Sequence, residues 1–226
     1  MSALQHHLEV FEGREDLARA AAEFVAERAR AATDSGGSFV LAVSGGRTPW
    51  VMFDHLVELD LPWERTVIFQ VDERCAPIDD PDRNLANLLA ALGDVPVDVR
   101  PMPVEADDLD AAASRYGASL PTLFDLVHLG LGPDGHTASL VPGDPVLDVT
   151  DRLVAPTGGL YQGRRRMTLT FPALTRARQL LWLVEGAEKR EPLEALLAGD
   201  RSIPAGRVHA DASLILADSA AAAGSI

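Results

Sequence analysis

Ser38–Val43 reads SFVLAV and Ser44–Pro49 reads SGGRTP. A near-continuous apolar run of this length, without polar alternation, describes a strand buried on both faces. The two glycines behind it let the chain turn tightly and bring its backbone close to a ligand. Pro49 suits the first turn of a helix, predicted over Pro49–Val57. The same alternation continues outward in both directions. A helix is predicted over Glu15–Thr33, where Leu17, Ala20, Ala21, Phe24, Val25 and Ala29 recur at helical spacing, ending in the turn Asp34-Ser35-Gly36-Gly37. Further strands are predicted at Thr66–Val71, Leu126–Leu131, Met167–Phe171, Leu180–Val184 and Ser213–Ala217, and further helices at Asn84–Leu92, Asp107–Leu120 and Lys189–Leu197. Apolar strands separated by helices imply an α/β protein with an open, mainly parallel, Rossmann-like sheet and helices on both faces. No repeat or linker divides the 226 residues, so residues 1–226 read as a single domain with a fraying Ala-rich tail after Ser219.

Composition narrows the function. Lys+Arg number 20 against 34 Asp+Glu, a net charge of −14, which argues against nucleic acid or an anionic membrane surface as partner. Aromatics are 5%, too few for a base-stacking platform. No stretch approaches the roughly 20 apolar residues of a membrane span, and the start MSALQHHLEVFEGRED lacks the basic and apolar regions of a secretory signal. One cysteine excludes an internal disulfide framework and a Cys-rich zinc site. The expected location is cytoplasmic. Every basic residue but Lys189 is an arginine.

In a parallel sheet, ligands sit outside the carboxyl ends of the strands, which directs attention to the loops after Val43, Val71 and Leu131. The first, Ser44-Gly45-Gly46-Arg47-Thr48-Pro49, offers two hydroxyls and the free N–H groups of a helix start, a ready anion site. The second, Asp72-Glu73-Arg74-Cys75, sets three charges at a strand end, where they can line a cleft or form a solvated turn. Cys75 reads as a passive small residue rather than a nucleophile, which would require a paired histidine. The third is Gly130-Leu131-Gly132-Pro133-Asp134-Gly135-His136-Thr137. Its glycines satisfy the G-x-G-x-x-G dinucleotide pattern, and Asp151 lies near the position of a ribose-binding acid. Asp134, however, would place a carboxylate in the pyrophosphate cradle, and the motif lies mid-chain. The glycines are better read as holding Asp134 and His136 at a cleft floor. Of the other histidines, His6, His7 and His55 fall in surface segments, His128 on a strand in the core, and His209 is undetermined.

SGGRTP, VDER followed by DRN, GLGPDGHTASLVPG, RRMTLTFPAL and GAEKREPL resemble, in order and spacing, the 6-phosphogluconolactonases. These belong to a wider group that includes glucosamine-6-phosphate isomerase/deaminase. The resemblance spans nearly the whole chain, and DGHTAS is its most specific block. It implies an open parallel-sheet fold and hydrolysis of 6-phospho-D-glucono-1,5-lactone to 6-phosphogluconate in the pentose phosphate pathway, with no metal and no organic cofactor. The expected partner is a small phosphorylated sugar lactone, and the chain is expected to be a monomer or weak homo-oligomer.

On that resemblance, His136 matches the catalytic histidine and would activate water as a general base. Asp134 would orient its ring, and Arg74 would stabilise the oxyanion of the tetrahedral intermediate. Asp72 would line the sugar pocket. Ser44, Gly45, Gly46, Thr48, Arg166 and Lys189 would hold the phosphate, with Arg164 and Arg165 the neighbours from which Arg166 must be told apart. Arg83 stands where the family usually has Ser, and is expected either to contact phosphate or to face solvent. Deaminase relatives carry a glutamate five residues after the loop histidine. Here that position is Val141, so the acid/base set for deamination is incomplete. A non-catalytic sugar-phosphate sensor would have little use for Asp134 and His136 together.

Overall fold

The computed structural model describes residues 6–34 and 36–224. Seven parallel strands form the central sheet. From edge to edge they are β1 (His6–Phe11), β10 (Ala212–Asp218), β9 (Gln179–Val184), β6 (Leu126–Gly130), β2 (Phe39–Val43), β3 (Thr66–Gln70) and β5 (Asp98–Arg100). Side chains alternate between the two faces. Phe39, Leu41 and Val43 of β2, Leu181 and Leu183 of β9 and Leu214 and Leu216 of β10 share one buried cluster with helices α1 (Arg14–Asp34), α2 (Arg47–Leu56) and α3 (Asn84–Leu92). Ala42, Trp182, Ile215 and Ala217 point the other way. They pack in a second cluster with α4 (Leu109–Ser119), α5 (Phe171–Leu174), α6 (Arg190–Leu197) and α7 (Ser219–Ala222). Both faces are covered, which is why the strands read as continuous apolar runs.

The order of the strands makes the cleft. From β2 the chain moves outward to β3 and β5, then returns to lay β6 on the other side of β2. The loops after β2 and β6 therefore leave in opposite directions and open a crevice at their carboxyl ends. A small antiparallel sheet of β4 (Asp72–Arg74), β8 (Arg166–Leu169) and β7 (Val154–Pro156) closes one side of it. Val71 joins the two sheets: its N–H donates to the Val43 carbonyl at 2.8 Å, and its carbonyl accepts from Leu169 N–H at 2.8 Å.

Several expectations are corrected. Met167–Phe171 does not add a strand to the parallel sheet: residues 166–169 belong to the antiparallel one, and Phe171 opens α5. The three charged residues after β3 are a strand rather than a loop. β1 and β5, the edge strands of the large sheet, carry no uninterrupted apolar run, and β7, an edge of the small sheet, is only the three residues Val-Ala-Pro, so none of the three stands out by pattern. His6 lies on β1, half-buried with its ring bonded to Ser213 Oγ at 2.8 Å, not in a surface segment. Of the tail expected to fray, Ser219–Ala222 forms α7, whose start is capped by Asp218 and whose Ala221 and Ala222 are fully buried, while residues 225–226 lie outside the described residues. Lys189 precedes α6 in a single 3-10 turn rather than lying within the helix. Ser35, in the turn after α1, lies outside the described residues.

Candidate active site

The loop after β6 is built to present one imidazole. Gly132 N–H donates to the His136 carbonyl at 2.8 Å, Gly135 N–H to the Gly132 carbonyl at 3.0 Å, and the Thr137 hydroxyl to the Gly130 carbonyl at 2.9 Å. Gly135 takes φ +77°, and a Cβ at Gly132 would stand 2.0 Å from His136 Nδ1, so only glycine leaves room for the ring. His136 Nδ1 lies 2.5 Å from Asp134 Oδ1, which also accepts the His136 backbone N–H at 3.2 Å. Burial works to raise the Asp134 pKa, but hydrogen bonds from His136 and its charge together hold it below the ordinary carboxylate value. An ionised Asp134 requires Nδ1 to donate, and in the neutral form of the ring this tautomer leaves the Nε2 lone pair free.

Cross-strand pairing sets two cations side by side. Arg74 of β4 stands directly opposite Arg166 of β8. Arg166 is buried. Its guanidinium lies 3.9 Å from Asp72 Oδ2, donates to Gln162 Oε1 at 3.2 Å and sits 5.3 Å from the Tyr161 ring centre. Burial lowers the Arg166 pKa, and the neighbouring Arg74 adds to this against the opposing pull of Asp72. Arg74 donates to Asn84 Oδ1. Asp72 is buried and held by the Ser139 hydroxyl at 2.5 Å. Arg164 turns to Asp80 at 2.7 Å and Arg165 to the Thr157 carbonyl at 3.0 Å, so of the three consecutive arginines Arg166 lines the cleft.

The loop after β2 completes the ring. A Cβ at Gly45 would fall 1.9 Å from Asn84 Oδ1, so this glycine allows the loop to lie against the start of α3. The Ser44 N–H donates to His128 Nδ1 at 3.3 Å, and the buried Ser44 hydroxyl has no partner among the described residues. Gly46 precedes α2, and no side chain among the described residues caps this helix start, which lines the cleft. The Thr48 hydroxyl is not free: it donates to Glu185 Oε2 at 2.5 Å, and Glu185 also pairs with Arg14 at 2.6 Å. Lys189 is half-buried. Burial lowers its pKa, with Glu188 and Asp134 acting the other way.

These residues line a cleft of about 520 Å³ with five cationic side chains (Arg14, Arg47, Arg74, Arg166 and Lys189) and three carboxylates (Asp72, Glu185 and Glu188). The acidic chain thus carries a locally cationic pocket. Among the described residues no cluster of His, Cys, Asp and Glu could hold a metal ion. The cleft brings together His136, Arg74, Asp72, Arg166, Lys189, Ser44, Gly45, Gly46 and Thr48, with Asp134 behind the imidazole.

Arg83 neither reaches the cleft nor faces solvent. It is buried, 3.1 Å from Glu73 and paired with Glu105. Glu73 in turn accepts the backbone N–H groups of Asn84 and Leu85 at 2.8 Å each, pinning the start of α3. Burial raises the Cys75 pKa against the nearby arginines, in keeping with a passive role. Sequence reasoning missed Arg14, Asn84, Tyr161, Gln162 and Glu185, all of which line the cleft. Glu185 directly follows β9, so extending the strand-end search to that strand would have found it. Tyr161 and Gln162 sit in a hairpin between two strands of the small sheet, and only the flanking glycines mark it.

Residues 12–216 match the family described as Glucosamine-6-phosphate isomerases/6-phosphogluconolactonase. A 6-phosphogluconolactonase of Synechocystis sp. is 40% identical over 176 residues, covering 72% of this chain and 72% of its own. One of Mesorhizobium japonicum is 36% identical over 210 residues, covering 88% of each. The crystal structure of 6-phosphogluconolactonase from Thermotoga maritima superposes with a TM-score of 0.86 at 27% identity, over 95% of this chain and 100% of that one. The matched span runs from the start of α1 into β10 and takes in every cleft loop, and by it the chain belongs to the glucosamine-6-phosphate isomerase/6-phosphogluconolactonase family.

Proposed function

We propose that this chain is a 6-phosphogluconolactonase, hydrolysing 6-phospho-D-glucono-1,5-lactone to 6-phosphogluconate in the pentose phosphate pathway. The observation that carries this reading is the His136–Asp134 pair at 2.5 Å on the wall of a cleft rich in cations. His136 Nε2 takes a proton from water as the water oxygen bonds to the lactone carbonyl carbon. Negative charge passes to the former carbonyl oxygen, where Arg74 stabilises it. The ring C–O bond then breaks, and the alkoxide leaves with the proton carried by His136. Asp134 keeps the ring oriented and stabilises its transient charge.

The phosphate lies at the other end of the substrate. Arg166, Lys189, the Ser44 hydroxyl and the N–H groups at the start of α2 suit it, with Thr48 released from Glu185. Holding this remote group aligns the lactone, so that its binding energy serves the chemical step. Asp72, engaged by Ser139 and Asn84, shapes the sugar pocket and steadies Arg166. The same reading takes the chain as one cytoplasmic domain working as a monomer or weak homo-oligomer. No described helix is long and apolar enough to cross a membrane.

The test is a coupled turnover assay on freshly prepared 6-phosphogluconolactone, corrected for spontaneous hydrolysis and run beside glucosamine 6-phosphate. Rapid lactone turnover with no release of ammonia is the expected result. Deamination without lactone hydrolysis would overturn the reading. Val141, where deaminase relatives carry a glutamate, is not among the residues lining the cleft.

A further inference from the structure

The hairpin between β7 and β8 turns at Tyr161–Arg164, where the Tyr161 N–H donates to the Arg164 carbonyl at 2.9 Å and the Arg164 N–H to the Tyr161 carbonyl at 3.3 Å. Its central residues, Gln162 and Gly163, both have positive φ, +51° and +77°. Two left-handed residues in succession are the mark of a type I′ turn, whose first central position favours Asn, Asp or Gly. Glutamine there is strained, and such strain persists only where the surroundings enforce it. The turn is anchored at its base: Asp144 accepts the Gly158 N–H at 3.0 Å and the Gly159 N–H at 2.9 Å.

What Gln162 gains from this position is Arg166. Its Oε1 accepts from the guanidinium at 3.2 Å, an assignment fixed by chemistry because guanidinium only donates. The face of Tyr161 lies 5.3 Å from the same guanidinium, and its ring meets His136 at 5.0 Å, centre to centre. Burial raises the Tyr161 pKa, so its hydroxyl stays protonated at neutral pH. Arg166 is thus held on three sides, by Asp72, Gln162 and Tyr161, while its repulsive neighbour Arg74 stands across the ladder.

We propose that Gln162 is a positioning residue for substrate binding: from its strained turn it fixes the Arg166 guanidinium against Tyr161, so that the cation meets the substrate's anionic group already oriented. The proposal rests on the lactonase reading only for the identity of that group, the phosphate.

The experiment compares Gln162→Gly, Gln162→Met, Arg166→Met and the two double variants. Glycine relieves the turn, so Gln162→Gly melts at the same temperature as the wild type or higher. KM for the lactone nevertheless rises about 10-fold, the scale of one hydrogen bond to a charged group, with the loss falling on KM rather than kcat. Gln162→Met, which keeps the strain and removes the amide, shows the same rise. In the Arg166→Met background neither change weakens binding further, because Gln162 acts through Arg166. Unchanged KM in both single variants, or an equal further loss without Arg166, overturns the proposal. Titration calorimetry with 6-phosphogluconate and with inorganic phosphate runs the same cycle without turnover. A chain inert toward the lactone but showing the coupling there would sink the lactonase reading and leave the role of Gln162 standing.

Discussion

At the scale of the residue, two histidines on one strand–loop unit show how surroundings divide their tasks. His136 stands in the cleft against an ionised carboxylate, and on the proposed mechanism replacing it with alanine removes the base. The expected loss in kcat is at least about 10²-fold with KM little changed; unchanged turnover would take His136 out of the mechanism. His128, eight residues earlier, is fully buried, and desolvation alone pushes its pKa down to about 3. It is neutral in the fold and accepts the Ser44 N–H at 3.3 Å. In the unfolded chain it binds a proton below about 6.5. Its contribution to stability is therefore complete above that pH and is lost progressively as pH falls from about 6.5 toward 3, by up to about 1.4 kcal/mol per unit. Urea denaturation at pH 7 and pH 5 should show a smaller acid loss in His128→Leu than in the wild type, and equal losses would refute this. Both placements were legible in sequence, His136 at the cleft from its glycine-rich loop and His128 in the core from its apolar strand. Glu185 and Arg14 were not, because their meeting joins residues 171 positions apart.

At the scale of the element, what the sequence made plain was whatever the sheet buries on both faces. β2, β3, β6, β9 and β10 stand within a residue of their expected bounds, since a short, mostly apolar run bounded by turn residues marks a strand buried on both faces. Three-residue strands such as β4 escaped notice because their burial comes from a second sheet that no local pattern announces. β4 reads Asp-Glu-Arg, and its first two side chains are buried with their carboxylates satisfied, Asp72 by Ser139 and Asn84, and Glu73 by Gln70, Arg83 and the N–H groups of Asn84 and Leu85. The alanine-rich end shows the converse. Low side-chain volume suggested fraying, whereas Asp218 caps α7 through the Ala221 N–H at 2.8 Å and also accepts the Gly186 N–H at 3.1 Å. One carboxylate thus ties the last helix to the loop carrying Lys189. Asp218→Ala should lower unfolding free energy by about 1–2 kcal/mol, the usual range for a lost cap. It should also raise KM by loosening Lys189, and a fully stable variant with native KM would show that the tie carries nothing.

At the scale of the whole molecule, two electrostatic fields oppose each other. The chain's net charge of −14 repels an anionic substrate at a distance, while the five cations of the cleft attract it at contact. Sequence revealed the first as a sum, but the second needed the fold, which gathers Arg14, Arg74, Arg166 and Lys189 from four separate segments. The two fields respond differently to salt. The screening length shortens from about 30 Å at 0.01 M to about 8 Å at 0.15 M, so the far repulsion fades while contacts at a few ångströms, partly buried, persist. KM for the phosphorylated lactone should accordingly hold steady or fall as sodium chloride rises across that range. An ordinary charge-steered enzyme, whose global and local fields share a sign, loses affinity instead. A several-fold increase in KM over the same interval would show that the cleft cations are exposed to solvent screening and that remote charge does not govern approach. The comparison is sharpened by the unphosphorylated lactone, which lacks the group both fields act on and whose KM should be indifferent to salt.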